Sequence, residues 1–274
     1  MTKPLHSSNP HMSNFGASAG WGLVVAGSLV SGALVAARLR LPPRVAASVT
    51  AFGGGVLLAA VAVELVPAAD ELAGRWLTAA GLLAGMVVYV GADAWLTRDE
   101  RMREARRSMH AAMVAQPMPG SAATAVSAPR GGLPAARGES IAAGIFVDGV
   151  PESVALGLTV VAGQVGVALL AGVLVGNLVE AYGAAQPIIA AGRSRRFAVG
   201  LLAAIGAALA GATVLGGTVL ADASPALIGT AEALASGAVL AVVSVSIIPY
   251  AFSQVSSMVA AAAVVGFIAG YLVS

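Results

Sequence analysis

Two apolar stretches near the middle of the chain carry carboxylates at helical spacing. One reads Ile141-Ala-Ala-Gly-Ile-Phe-Val-Asp148-Gly-Val-Pro151-Glu152-Ser153, the other Gly172-Val-Leu-Val-Gly-Asn177-Leu-Val-Glu180-Ala-Tyr182. Asp148 and Glu152 are four residues apart, and Asn177 and Glu180 are three apart. Each pair therefore shares one helix face. A charge inside a bilayer is expensive unless it meets a partner, a wet cavity or an ion. Pro151 and Pro187 have no N–H to donate, which frees the carbonyls of Val147 and Gly183 one turn earlier. Carboxylates, an amide and freed carbonyls make an all-oxygen donor set. Such a set suits manganese, magnesium or calcium, and zinc still accepts carboxylate ligands. Two plainer readings stay open. The acids could be a protonated pair bonding between helices, and Asn177 could be helix-packing glue.

The composition decides where those stretches sit. The chain is 58% hydrophobic and 10% charged, with mean hydropathy +0.88, whereas a soluble domain carries about 25% charged residues. With no cysteine, disulfides and thiolate metal sites are excluded. Eight apolar stretches approach the roughly 20 residues that a spanning helix needs. They lie near Ala17–Ala37, Val45–Val66, Leu77–Leu96, Ile141–Ala162, Gly166–Ala191, Ala198–Leu220, Ala226–Ile248 and Val255–Val273. The first lacks a basic leader and a tidy cleavage site, so it reads as a retained helix.

Basic residues orient the spans. Arg38, Arg40 and Arg44 fall between spans one and two. Arg98, Arg101, Arg103, Arg106, Arg107, Arg130 and Arg137 fall between three and four, and Arg193, Arg195 and Arg196 between five and six. These are 13 of the 15 basic residues; only Lys3 and Arg75 fall on the other side. The positive-inside rule makes the rich side cytoplasmic and puts both termini outside. The expected location is a bacterial inner membrane. Four segments follow: 1–96 with spans one to three, a largely disordered cytoplasmic loop at 97–139, 140–192 with spans four and five, and 193–274 with spans six to eight. The loop is rich in Pro, Gly, Ala and Ser, a composition that cannot bury a core.

An internal repeat links spans two and seven. Ala51 to Pro67 aligns with Ala233 to Pro249, and seven of the 17 paired positions are identical, including Gly55 with Gly237 and the closing prolines. Span two runs outward and span seven inward, so the repeat is inverted, a hallmark of secondary transporters. The expected fold class is an all-α integral membrane protein of eight transmembrane helices, arranged 3+2+3 with inverted repeats.

This arrangement resembles the Zrt/Irt-like (ZIP) metal transporters, in which many bacterial members read His-Asn-x-Pro-Glu-Gly in spans four and five. Here span four keeps Pro151 and Glu152 and span five keeps Asn177 and Glu180, while Asp148 and Gly176 stand where the motif has histidine. Pro249 is followed by Tyr250 where many relatives have glutamate. The resemblance implies a carrier moving a divalent cation (zinc, iron or manganese) toward the cytoplasm. It also implies a metal site between spans four and five built from Asp148, Glu152, Asn177 and Glu180. The metal is cargo, and no cofactor is expected. Glu64, near the outer end of span two, reads either as an entrance ligand or as an ordinary interfacial residue. Expected partners are the divalent metal ion and membrane lipid, with a homodimer left open and no nucleic acid. No HExxH, G-x-S-x-G or Walker A sequence is present, so an enzyme is not expected. A transport-inactive relative acting as a metal sensor or scaffold is the alternative.

Overall fold

The structure, a computed structural model, describes residues 10–96, 133–161, 163, 166–190, 192–220, 222–247 and 257–274. Among these residues there are helices and no strands. In chain order the helices are α1 (Pro10–Arg38), α2 (Pro43–Ala59), α3 (Val66–Ala73), α4 (Arg75–Leu96), α5 (Leu133–Val161), α6 (Val167–Ala190), α7 (Arg195–Val219), α8 (Pro225–Val242) and α9 (Ser257–Val273). A π-helical turn, Ala60–Leu65, joins α2 to α3 in one rod, and a second, Val243–Ile247, extends α8. Seven of these segments are long and apolar enough to cross a membrane; Ser257–Val273 is apolar but shorter. The chain is therefore an integral membrane protein by its helices.

Local chemistry sets the breaks. Pro42 and Pro43 separate α1 from α2, with Pro43 at the start of the helix, where its missing N–H costs nothing. Gly74, at φ 79°, divides α3 from α4. Ser194 and Ser224 cap α7 and α8 by accepting from the N–H of Phe197 at 3.1 Å and Leu227 at 3.4 Å. Helix α5 begins at Leu133, inside the stretch expected to be loop, because Pro134 suits a first turn. The expectations for residues 97–132, Pro249 and Tyr250 lie outside the described residues.

Helices α2–α3, α5, α6 and α8 form the inner set. Each buries 61% of its most apolar window, against 22% for α4 and 33% for α7. Between helices in lipid, close approach of small residues replaces the hydrophobic drive. Helix α1 crosses α7 where Gly22 meets the backbone of Ala210 and Gly206 meets Ala26. Gly266 of α9 lies on the backbone of Phe52 in α2, and Gly85 of α4 lies on that of Leu234 in α8. Gly81 also packs on α8, against Ala233.

The turns sort into two ends. At the arginine-bearing end, Tyr182 Oη accepts from the N–H of Leu41 at 2.6 Å, and Gln186 Nε2 donates to the carbonyls of Ala36 at 2.9 Å and Leu39 at 3.1 Å. These bonds tie the α1–α2 turn to α6. The opposite end holds the Gly74 turn, the α5–α6 connection and the C-terminal end of α9, gathered around one cavity.

Candidate functional site

Helix α5 carries the first acid pair into the interior. Asp148 is 6% exposed, Glu152 5% and Ser153 fully buried. Their spacing puts Asp148 and Glu152 one above the other. Tyr89 of α4, itself buried, donates its hydroxyl to Asp148 Oδ1 at 2.5 Å. Pro151 lies within the helix, so the carbonyl of Val147 lacks its ordinary donor. Gly149 gives the room that the Leu209 side chain of α7 occupies.

Helix α6, which packs on α5, carries a buried amide. Asn177 is 1% exposed, and neither its Nδ2 nor its Oδ1 has a hydrogen-bond partner. A buried amide left in this state costs the desolvation of two polar groups, so an orphaned pair needs an explanation. Beside it, Gly176 is buried, yet a Cβ there would meet no atom within 4 Å. The interior is open at the position where the resembled motif carries histidine. Glu180 is half-buried on the same helix.

Helices α5 and α6 pack on one another, which puts the four expected residues on neighbouring elements. Asp148, Glu152 and Asn177 are all buried and Glu180 is less so. Among the described residues, no three His, Asp or Glu side chains come together as a coordinating group. Asp148, Glu152 and Glu180 therefore do not converge as three carboxylates on one point.

Glu64 has a defined task. It sits in the π-helical turn Ala60–Leu65, a distortion found disproportionately at functional sites. Its Oε1 accepts from the N–H of Ala168 at 3.2 Å and its Oε2 from Leu169 at 3.4 Å. The carboxylate thus caps the first turn of α6 from another helix, where negative charge is favoured. Gly166 leaves room for this approach, since a Cβ there would stand 2.7 Å from Glu64 Oε2 and make that carboxylate shift.

One acid escaped the sequence reading. Glu232 of α8 is 1% exposed, and its Oε2 has no partner. It lines a cavity of about 610 Å³ together with Glu64, Glu71 and Thr159. It shares the signal that marks Asp148, an acid within an apolar span, but lies only two turns from the helix start.

A scan against protein-family models and a search of curated proteins return no match for this chain.

Proposed function

We propose that the chain is a carrier for a divalent cation, with zinc, manganese or iron as cargo, and that the ion passes between α5 and α6. The observation that carries this reading is Asn177: a buried amide with no partner, beside open interior at Gly176 and opposite a helix bearing two buried acids. An ion ligated by Asn177 Oδ1 and by Glu152 would give that oxygen a partner and compensate the buried carboxylate. Asp148 and Glu180 would complete the path, each as a step rather than as one closed cage.

Helix pairing supports an inverted repeat of the kind secondary transporters use. The contact of Gly266 with Phe52 matches that of Gly85 with Leu234, and Phe52 aligns with Leu234 in the 17-residue repeat. Aligned Gly55 and Gly237 meet the carbonyls of Ala263 and Leu82 respectively. The two π-helical turns also fall on aligned segments, each two residues before an aligned proline. Spans one to three and six to eight then flank spans four and five. The arginine-bearing end faces the cytoplasm by the positive-inside rule.

The second reading is a transport-inactive relative that senses metal or scaffolds a partner. The bond from Tyr89 to Asp148 favours it, as does the lack of a three-carboxylate group among the described residues. Uptake of zinc, manganese and iron into proteoliposomes separates the two. Flux above protein-free vesicles, lost in Glu152→Gln, supports the carrier; no flux of any of the three removes it.

A further inference from the structure

The cavity at the end of the Gly74 turn lies apart from the Asn177 region, which lines none of it. Its walls come from the Ala60–Leu65 turn, α3, α5, α6, α8 and α9. Pro225 begins α8, so Glu232 sits about 10 Å inside the helix start. There it is almost wholly buried and lines the cavity, and its Oε2 has no hydrogen-bond partner. Buried carboxylates are paired or bind an ion. Glu64 lines the same cavity. Its two oxygens accept one N–H each from α6, and a carboxylate has about four lone-pair sites, so it keeps capacity to accept more.

We propose that this cavity is a capture site for a divalent cation that keeps part of its water shell, with Glu232 as the anchoring ligand and Glu64 as the second carboxylate. Thr159 lines the same cavity; its hydroxyl donates to the carbonyl of Leu156 at 2.8 Å, so it offers only an accepting oxygen there. Among the described residues no third acid closes a coordination group, and the cavity is large enough for water, so water completes the shell. Manganese and magnesium accept oxygen ligands and retain water readily.

The repeat gives the site a direction. By the alignment of Ala51 with Ala233, Glu232 corresponds to Thr50 and Glu64 to Ser246. Thr50 is buried and spends its hydroxyl on the carbonyl of Ala46 at 3.0 Å. The acids thus occupy one end and hydroxyl residues the related positions of the other. An ion is held where it enters and meets no matching pair of acids where it leaves. That use rests on the carrier reading; the binding itself does not.

The test uses the full chain in nanodiscs with Mn²⁺ as probe. Ala68, on the cavity wall, is replaced in A68C, the single thiol in a chain without cysteine. Mn²⁺ should slow modification of that thiol by a water-soluble reagent. In the added Glu232→Gln background the Mn²⁺ needed for half protection should rise about tenfold or more, and Glu232→Asp should fall between the two. Glu152→Gln should leave protection unchanged. Equal protection with Glu, Gln and Asp at position 232 overturns the proposal, as does absence of protection in A68C alone. Should Glu232→Gln not fold, the Asp variant alone decides: protection equal to the parent overturns the site. Proteoliposome flux is read separately, so a protein that moves no ion yet shows Glu232-dependent protection refutes the carrier and keeps the site.

Discussion

Tyr89 and Asp148 are 59 residues apart in the chain and are joined by a hydrogen bond of 2.5 Å between their buried side chains. The bond fixes α4, one of the least buried helices, to the acid-bearing face of α5. Replacing Tyr89 with Phe keeps the ring and removes the donor. Asp148 Oδ1 would then lose its Tyr89 partner in a low-dielectric setting, at a cost of about 1–3 kcal/mol. Thermal unfolding in detergent should show Tyr89→Phe clearly below wild type. An unchanged melting temperature would mean the bond adds nothing to the α4–α5 contact.

Glu64 offers a second, independent check. Its carboxylate caps α6 across the bundle, and side-chain caps contribute about 0.5–2 kcal/mol. Glu64→Ala should destabilise by that order, while Glu64→Gln, which keeps an acceptor oxygen, should lose less. Gly166→Ala should mimic Glu64→Ala, because its Cβ would take the space of Oε2. Hydrogen exchange at Ala168 and Leu169 reads the effect directly, with faster exchange in all three variants. Protection that survives Glu64→Ala would sink the cap.

The orientation of the bundle has its own test. The arginine distribution predicts that the segment between α4 and α5 lies on the cytoplasmic side. Ser121→Cys creates a single thiol in a cysteine-free chain. An impermeant reagent should modify it only after cells are opened. Modification in intact cells reverses the topology.

What the sequence made legible, and what it did not, follows the range of each signal. Spans are legible because lipid demands about 20 apolar residues in a row, and α4, α6 and α7 fall within a few residues of the expected bounds. Asp148 and Glu152 are legible because acids are costly in such a run. Glu232 carries the same signal, but two turns from a helix start an acid cannot be told by sequence from an interfacial one; its burial comes from tertiary packing. The bond from Tyr89 and the cap by Glu64 depend on partners 59 and 104 residues away, beyond any local pattern. The π-helical turns are likewise hidden in Ala/Val-rich sequence, although each precedes an aligned proline. The start of α5 at Leu133 is missed because Pro134 reads as loop, whereas proline at a first turn is helix-compatible.

Asn177 gives the sharpest test of the site, because a ligand and a helix-packing amide respond differently to metal. In the ion-free protein its amide is buried with both polar atoms unsatisfied. Asn177→Leu replaces it with an apolar group of similar size and relieves that penalty, so the ion-free protein should become more stable by about 1–3 kcal/mol. If Asn177 is a ligand, the same change should abolish the stabilisation that zinc or manganese gives to wild type, since bound ion favours the folded state in proportion to its affinity. Gly176→His fills the open interior beside it and adds an imidazole, which should move preference toward zinc over manganese. Melting curves with and without each metal, on wild type and both variants, make the comparison. Metal stabilisation that persists undiminished in Asn177→Leu would take Asn177 out of the site and remove the observation on which the carrier reading rests.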